Sequence, residues 1–327
     1  MKTLDAALLR ALRDAHVHLP AGELANDLVT TMSLIREKVG KLREAGFSID
    51  ECPGLGYRLT ASPDRLIADD LYARLGGSSL IREILAFAET DSTNDCAAQL
   101  GATGAAGGVA LLAERQRAGR GRFGRTWESA AHLGIWCSLL LRPAFPAAEW
   151  ARLTTWAAVS LAAAIEKIAG VPIKIKWPND LLADGRKIAG ILIETGMDRT
   201  QRAFAVLGFG VNVNHQATDF SDELAARAVS LRQVSGRRLD RAELLIEIFR
   251  ALESRYASID RCFDMIRSEA VERSILLGKQ VAGRRGDMVL RGVAEELDEL
   301  GQLIVRDANG VRHRLSGGEV GIVQEDL

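Results

Sequence analysis

Three strand candidates follow one another closely, Ile173 to Trp177, Ile188 to Thr195 and Ala203 to Val213. The first two are bridged by Asp184-Gly185, a pair suited to a two-residue hairpin. Parallel neighbours need a crossover of about a dozen residues, so connections this short imply a largely antiparallel sheet. Strand-like Val109 to Ala113 and Gly134 to Leu140 come earlier, and an alanine-rich helix from about Ala148 to Ala169 lies between. The pattern is α+β, with helices laid on a mixed or antiparallel sheet.

Ahead of this region the pattern is helical. Leu4, Leu8, Leu9 and Leu12 have amphipathic spacing, which breaks at His18-Leu19-Pro20. A short second helix spans Glu23 to Leu28. After a turn at Val29 and Thr30, Thr31 or Ser33 can cap a third, whose apolar positions Leu34, Ile35, Val39 and Leu42 end at Ala45-Gly46. Phe47 to Ile49 and Tyr57 to Leu59 flank Pro53-Gly54-Leu55-Gly56, which reads as a small hairpin, or wing. Pro63-Asp64 opens a helical connector and Gly76-Gly77 closes it. Asp240 and Glu243 have the form of a capping box for a helix from Leu244 to Tyr256. After Gly278, turns near Gly286-Asp287, Leu300-Gly301 and Asn309-Gly310 separate short strands, as in a small barrel. Three domains are expected: 1–62, 63–273 with the connector at 63–80, and 274–327.

A formal net charge of -1 over 327 residues gives no general attraction to nucleic acid or an anionic membrane, so any basic site must be local. Asp5 and Arg10 interrupt the first leucines, unlike a secretory signal, and no run of about 18 apolar residues is present to span a bilayer. Cys52, Cys96, Cys137 and Cys262 form no CxxC pair, which points to a reducing cytoplasm rather than a disulfide framework. His16, His18, His132, His215 and His313 lack metal-ligand spacing, so no site made of protein ligands alone is expected.

The sharpest local feature runs from Glu114 to Trp127, ERQRAGRGRFGRTW. Its glycines at 119, 121 and 124 let backbone amides approach an anion, and its arginines can grip carboxylate or phosphate oxygens in pairs. A solvated basic loop or an RNA-binding Gly-Arg segment would look similar. Like charges repel, so a loop mobile until a ligand orders it is expected. A second feature is KIKWPND, Lys174 to Asp180, followed by Lys187. A hairpin with a Pro-Asn-Asp corner sets an amide and a carboxylate at one strand end, and Lys187 can return to that end. Taken singly, Lys187 reads first as a solvated surface lysine and Asp180 as an Asx-turn residue.

The loop GRGRFGRTW, the hairpin KWPNDLLADGRKIAGILIET and the later GFGVNVN resemble, in order and spacing, the signatures of the biotin protein ligase family. The resemblance covers the whole chain. The head, with PGLGYRL, is similar to the winged helix-turn-helix of bifunctional biotin ligase and biotin operon repressors, and LGKQVAG to the start of their SH3-like carboxy-terminal domain. It implies a central domain of class II synthetase-like type using ATP and Mg²⁺. Biotin would be activated as biotinyl-5′-adenylate, then passed to a lysine of the biotin carboxyl carrier protein of acetyl-CoA carboxylase. No enzyme nucleophile is needed, so catalysis would rest on positioning and charge stabilisation.

By motif, the resemblance assigns Ser92, Thr93 and Asn94 to the biotin ureido ring, where a helix cap is the local alternative. Gln116, Gly119, Arg120, Gly121 and Arg122 match the loop over biotin, with Arg122 restraining the adenylate. Lys187 matches the lysine near carboxylate and phosphate, Gly190 a position of close ligand approach, and Asp180 the group that orients the incoming amine or helps remove its proton. Arg125, Asn179 and Asn212 fall near the nucleotide, and Trp127 either packs on adenine or belongs to the core. In the head, Thr31, Ser33, Arg36 and Lys38 are the DNA-contact candidates, while Val29, Thr30, Met32 and Glu37 depart from the family pattern. Operator DNA and a ligand-promoted homodimer through the central sheet complete the expected partners, with no membrane role. The rivals are a lipoate-type acyl-carrier ligase and a biotin-sensing repressor without turnover.

Overall fold

Leucine spacing makes the opening segment helical: α1 (Leu4–Ala15) is capped by the Thr3 hydroxyl, which accepts from Ala6 N–H, and it buries Leu8, Leu9 and Leu12. This is seen in a computed structural model that describes residues 3–257, 259–285 and 288–323. The chain divides into two compact units, Met1–Ser78 with Asp240–Ile246, and Ser79–Leu239 with Glu247–Leu327.

In the first unit α2 (Ala21–Asp27) and α3 (Met32–Glu44) follow α1. Thr31, not Ser33, caps α3, its hydroxyl accepting from Leu34 N–H at 3.2 Å. β1 (Ser48–Cys52) and β2 (Gly56–Ala61) pair antiparallel around a turn with Gly54 at φ 79°. Leu24, Ile35, Val39, Leu42, Phe47 and Tyr57 close the core over α1. α4 (Ala68–Leu75), read from the sequence as a connector to the central domain, packs on α1. The buried Asp70 explains why: it accepts from Arg13 of α1 at 2.5 Å and from Arg74 at 2.8 Å, and a buried carboxylate must be paired.

The second unit is built on a seven-stranded mixed sheet. Its strands are β3 (Glu83–Thr90), β4 (Val109–Gln116), β5 (Gly134–Leu141), β6 (Lys174–Lys176), β7 (Asp180–Ala183), β8 (Arg186–Met197) and β9 (Ala203–Asn212), in the order β3-β4-β5-β9-β8-β7-β6. β3 and β4 are parallel, joined through α5 (Thr93–Ala102), and the other pairs are antiparallel. α6 (Arg152–Ala169) packs on β6, β7 and β8. β3 is absent from the sequence reading, α5 enters it only as the helix-cap alternative at Ser92 to Asn94, and β7 corrects the reading of two strands bridged by Asp184-Gly185. That turn, with both residues at positive φ, joins β7 to β8, while Trp177-Pro178-Asn179 turns the chain from β6 into β7.

The short helices α7 (Asp222–Ala225) and α8 (Leu231–Ser235) follow, then α9 (Arg241–Tyr256), where Asp240 accepts from Glu243 N–H, and α10 (Phe263–Arg273). The remaining strands are β10 (Gln280–Arg285), β11 (Met288–Leu297), β12 (Leu303–Arg306), β13 (Arg312–Leu315) and β14 (Glu319–Ile322). They form an antiparallel sheet in the order β13-β12-β11-β10-β14. Gly301 and Gly310 take positive φ between its strands as expected, and the expected turn at Gly286-Asp287 lies outside the described residues.

Candidate active site

Side chains alternate across a strand, and residues paired between strands share a face. The pairs Gly190 with Gly210, Leu192 with Gly208 and Glu194 with Val206 therefore place these residues on one face of β8 and β9. Trp136 and Ser138 of β5 join them opposite Gly210 and Gly208, and Asp180 of β7 lies opposite Gly190. Over this face opens a cavity of about 620 Å³, within the usual range for small-molecule sites. Its floor is low because glycines make it: a methyl at Gly210 would lie 2.5 Å from Cε2 of Trp127, and one at Gly190 2.9 Å from Cζ3.

At one end, Ser92 caps α5, its hydroxyl accepting from Asp95 N–H at 3.4 Å, so the helix-cap alternative holds for it. Thr93 and Asn94 do more. Gln116 Oε1 accepts from Thr93 N at 2.8 Å and lies 3.0 Å from Thr93 Oγ1, while Gln116 Nε2 donates to Ser129 Oγ at 3.0 Å. Asn94 Oδ1 accepts from Ser138 Oγ at 2.6 Å, and Asn94 Nδ2 donates to Glu194 Oε2 at 2.7 Å. Ser92, Thr93, Asn94 and Gln116 line one cavity, with Ser129, Ser138 and Glu194 bonded to them from behind, a polar end suited to a neutral ring with both donors and acceptors.

The arginine–glycine loop crosses above. Trp127 N–H donates to Gly119 O at 2.8 Å and Gly121 N–H to Arg125 O at 2.7 Å, closing the loop on itself. Each arginine goes to a different anchor. Arg120 donates to both Glu194 oxygens, at 2.9 and 2.8 Å, and to Asp95 Oδ1 at 2.6 Å. Arg122 donates to Asn179 Oδ1 at 3.0 Å and Gly318 O at 3.4 Å, and Arg125 pairs with Glu319 of β14. The expected self-repulsion is thus offset by Asp95, Glu194 and Glu319. Burial alone would lower the Arg120 pKa, but Glu194 and Asp95 hold it above the ordinary value. Burial pushes Arg122 down, against the pull of Asp180 and Glu319.

At the other end Lys187 Nζ lies 2.7 Å from Asp180 Oδ1 and 5.2 Å from the Trp127 ring centroid. The short β7–β8 hairpin brings the two together, as its sequence implied. Asn179 Nδ2 donates to Ile191 O at 2.9 Å, and the buried Asn212 donates to Val229 O at 3.4 Å. Trp127 is not a core residue: its indole lies on the glycine floor, with Nε1 buried and without a hydrogen-bond partner, and it meets Trp136 edge-on at 6.3 Å. Among the described residues no group of three or more His, Cys, Asp or Glu is placed to hold a metal ion.

The sequence reading missed Ser129 and Ser138, and it included Gly208, Gly210 and Glu194 in its motifs without giving them a role. The glycine pair at 208 and 210, two apart in a strand pattern, was the available signal. In the head, Ser33 and Arg36 are exposed, whereas Lys38 is held by Asp5 at 2.9 Å. The reason is a carboxylate one helix away that no local pattern announces.

A mixed sheet with a polar pocket at one end, a lysine–carboxylate pair at the other and arginines between defines a ligase of the acyl-activating class, and residues 86–212 match the biotin/lipoate A/B protein ligase family. Residues 276–322 match the biotin protein ligase C-terminal domain. The chain belongs to the biotin protein ligase family: it is 31% identical to the bifunctional ligase/repressor BirA of Bacillus spizizenii over 95% of its own length and 96% of that protein's. It is 32% identical to the biotin--[acetyl-CoA-carboxylase] ligase of Mycobacterium tuberculosis, over 79% of this chain and 94% of that one. Among solved structures it resembles the Aquifex aeolicus biotin protein ligase in complex with biotin and ATP, with a TM-score of 0.64 and 26% identity, covering 75% of this chain and 100% of that one.

Proposed function

We propose that this protein joins biotin to a lysine of the biotin carboxyl carrier protein of acetyl-CoA carboxylase, using ATP, and that it also acts as a biotin-responsive repressor in the cytoplasm. The observation that carries the ligase reading is the single cavity that unites the polar end at Thr93, Asn94 and Gln116 with Lys187 and Asp180 at the other. The ureido ring docks at the first end, and the valeryl carboxylate runs under the loop toward Lys187. There a carboxylate oxygen attacks the α-phosphorus of ATP, and the α–β phosphoanhydride bond breaks to release pyrophosphate. Lys187 and Arg122 offset the charge that gathers, and Trp127 offers its indole to the adenine. In the second step the acceptor amine attacks the acyl carbon, AMP leaves, and Asp180 orients the amine as it loses its proton.

Asp180, Asn179 and Asn212 present the hard oxygen donors that Mg²⁺ prefers, which fits an ion carried in with the nucleotide. When bound, it would offset phosphate charge.

The expected result is one biotinyl adduct on an apo carrier domain, by mass spectrometry, only when biotin and ATP are both supplied. An adduct formed with lipoate instead would overturn the biotin assignment, and adenylate without transfer to a competent carrier would favour a sensor. A second expectation concerns Arg122, whose guanidinium bridges the loop to Asn179. Arg122→Gly should release the adenylate at least about tenfold faster, since charge-assisted hydrogen bonds contribute about 1.5–3 kcal/mol each. Unchanged dissociation in that variant would refute the assignment.

The domain reading is 1–62 as a winged helix-turn-helix, 63–273 as the class II synthetase-like catalytic domain and 274–327 as an SH3-like barrel. Three helices and a hairpin support the first, and the five-stranded antiparallel sheet the last. Thr31 at the α3 cap and Ser33 and Arg36 on exposed α3 positions are the operator contacts, and Lys38 would have to leave Asp5 to join them. The sheet edge β3, with Ala86, Phe87 and Ala88 exposed, suits pairing with a second copy. Sedimentation should therefore show adenylate-promoted dimers at micromolar concentration; equal sedimentation of apo and adenylate-bound protein would count against them. No helix among the described residues is long and apolar enough to cross a membrane.

A further inference from the structure

We propose that Glu194 is a positioning residue that couples recognition of the biotin ring to closure of the arginine–glycine loop, an inference that rests on the ligase reading. Glu194 does not line the cavity, yet its carboxylate holds two groups that do. Oε2 accepts from Asn94 Nδ2 at 2.7 Å and from Arg120 Nη2 at 2.8 Å, and Oε1 accepts from Arg120 Nη1 at 2.9 Å.

The Asn94 amide can face either way only if its neighbours allow it. Ser138 can donate or accept, so it sets no direction, but an ionised carboxylate only accepts. Turning the amide over would bring Asn94 Oδ1 against Glu194 Oε2, acceptor on acceptor. Glu194 therefore fixes the orientation of the Asn94 amide at the cavity wall, and the glycine floor fixes its place: a methyl at Gly208 would lie 2.0 Å from Asn94 Oδ1. The same carboxylate binds the first arginine of the loop in bidentate fashion, with Asp95, the next residue of α5, as its other partner. A ring that engages Asn94 and a loop that brings Arg120 down thus meet on one group. Neither arrangement is complete without it.

A broken coupling should speed escape of biotin rather than slow the chemistry. Glu194→Gln keeps the size but sets an amide donor or a neutral acceptor against a guanidinium that offers only donors. In the full-length protein we expect biotin dissociation and KM for biotin to rise about tenfold, the equivalent of one charge-assisted hydrogen bond, with kcat at saturating biotin within about twofold. Arg120→Ala should give a similar rise, and the double variant little more than either alone, because the two residues act as one unit. Asp95→Asn, at a half-exposed position that removes only the second Arg120 partner, should raise dissociation about threefold. That variant decides the matter if Glu194→Gln does not fold. Unaltered dissociation in both Glu194→Gln and Asp95→Asn, or effects of Glu194→Gln and Arg120→Ala that multiply, would overturn the inference while the ligase reading stood. Wild-type protein that binds no biotin by calorimetry would remove both.

Discussion

Lys187→Ala is expected to lower formation of biotinyl-adenylate by about 10²- to 10³-fold, the scale set by removing a charge-stabilising group from a preorganised site. In the proposed reaction two anions converge at the Lys187 end of the cavity, the biotin carboxylate and the nucleotide phosphates. Lys187 Nζ stands 2.7 Å from Asp180 and above the Trp127 ring, so its loss removes a cation and uncovers a carboxylate at once. The exposed Asp180 charge would then repel both substrates. Asp180→Asn placed on top of Lys187→Ala should accordingly recover part of the lost adenylation, although Asp180→Asn alone should slow transfer to the acceptor lysine. Biotin-dependent exchange of pyrophosphate into ATP measures the first step by itself. Near wild-type exchange in Lys187→Ala would remove Lys187 from the activation chemistry and leave it as a surface partner of Asp180.

Much of this site was legible because its parts are local. Asp180 and Lys187 lie seven residues apart on one hairpin, so a favoured turn at Asp184-Gly185 suffices to bring them together. The loop advertises itself through its arginines and glycines. Thr31 and the apolar spacing after it marked the start and the buried face of α3. What stayed hidden depends on contacts far apart in sequence. Glu194 closes on Arg120 across 74 positions and on Asn94 across 100, and in the sequence it is one polar residue at the end of an apolar strand. Its parity with Gly190 was the only clue to the face it takes. β3 escaped because an edge strand with one buried position shows no alternation, and β7 because four residues are too few for a period. Lys38 reads as free for DNA in the sequence because Asp5, which holds it, belongs to another helix.

Gly210→Val should cut kcat/KM by about 10²-fold, the loss that follows from misplacing a catalytic group by about 1 Å, with the melting temperature close to unchanged. The two outcomes separate because of where the new atoms go. A Cβ at 210 meets nothing closer than the Trp127 indole, at 2.5 Å from Cε2 and 2.6 Å from Nε1, so the added bulk points into the cavity rather than the packed core. Valine also favours a strand, and its backbone pairing with Trp136 and Gly190 needs no change. The indole, however, must lift off the floor. Trp127 N–H donates to Gly119 O, so lifting it carries the loop that bears Arg120 and Arg122 away from their anchors. Gly210→Ala should show the same defect in milder form. Trp127→Ala added to Gly210→Val should cause little further loss, since both act by unseating one ring. Full activity in Gly210→Val would mean that the loop finds its place without the floor beneath Trp127, and that the glycines at 190 and 210 are there for the sheet alone.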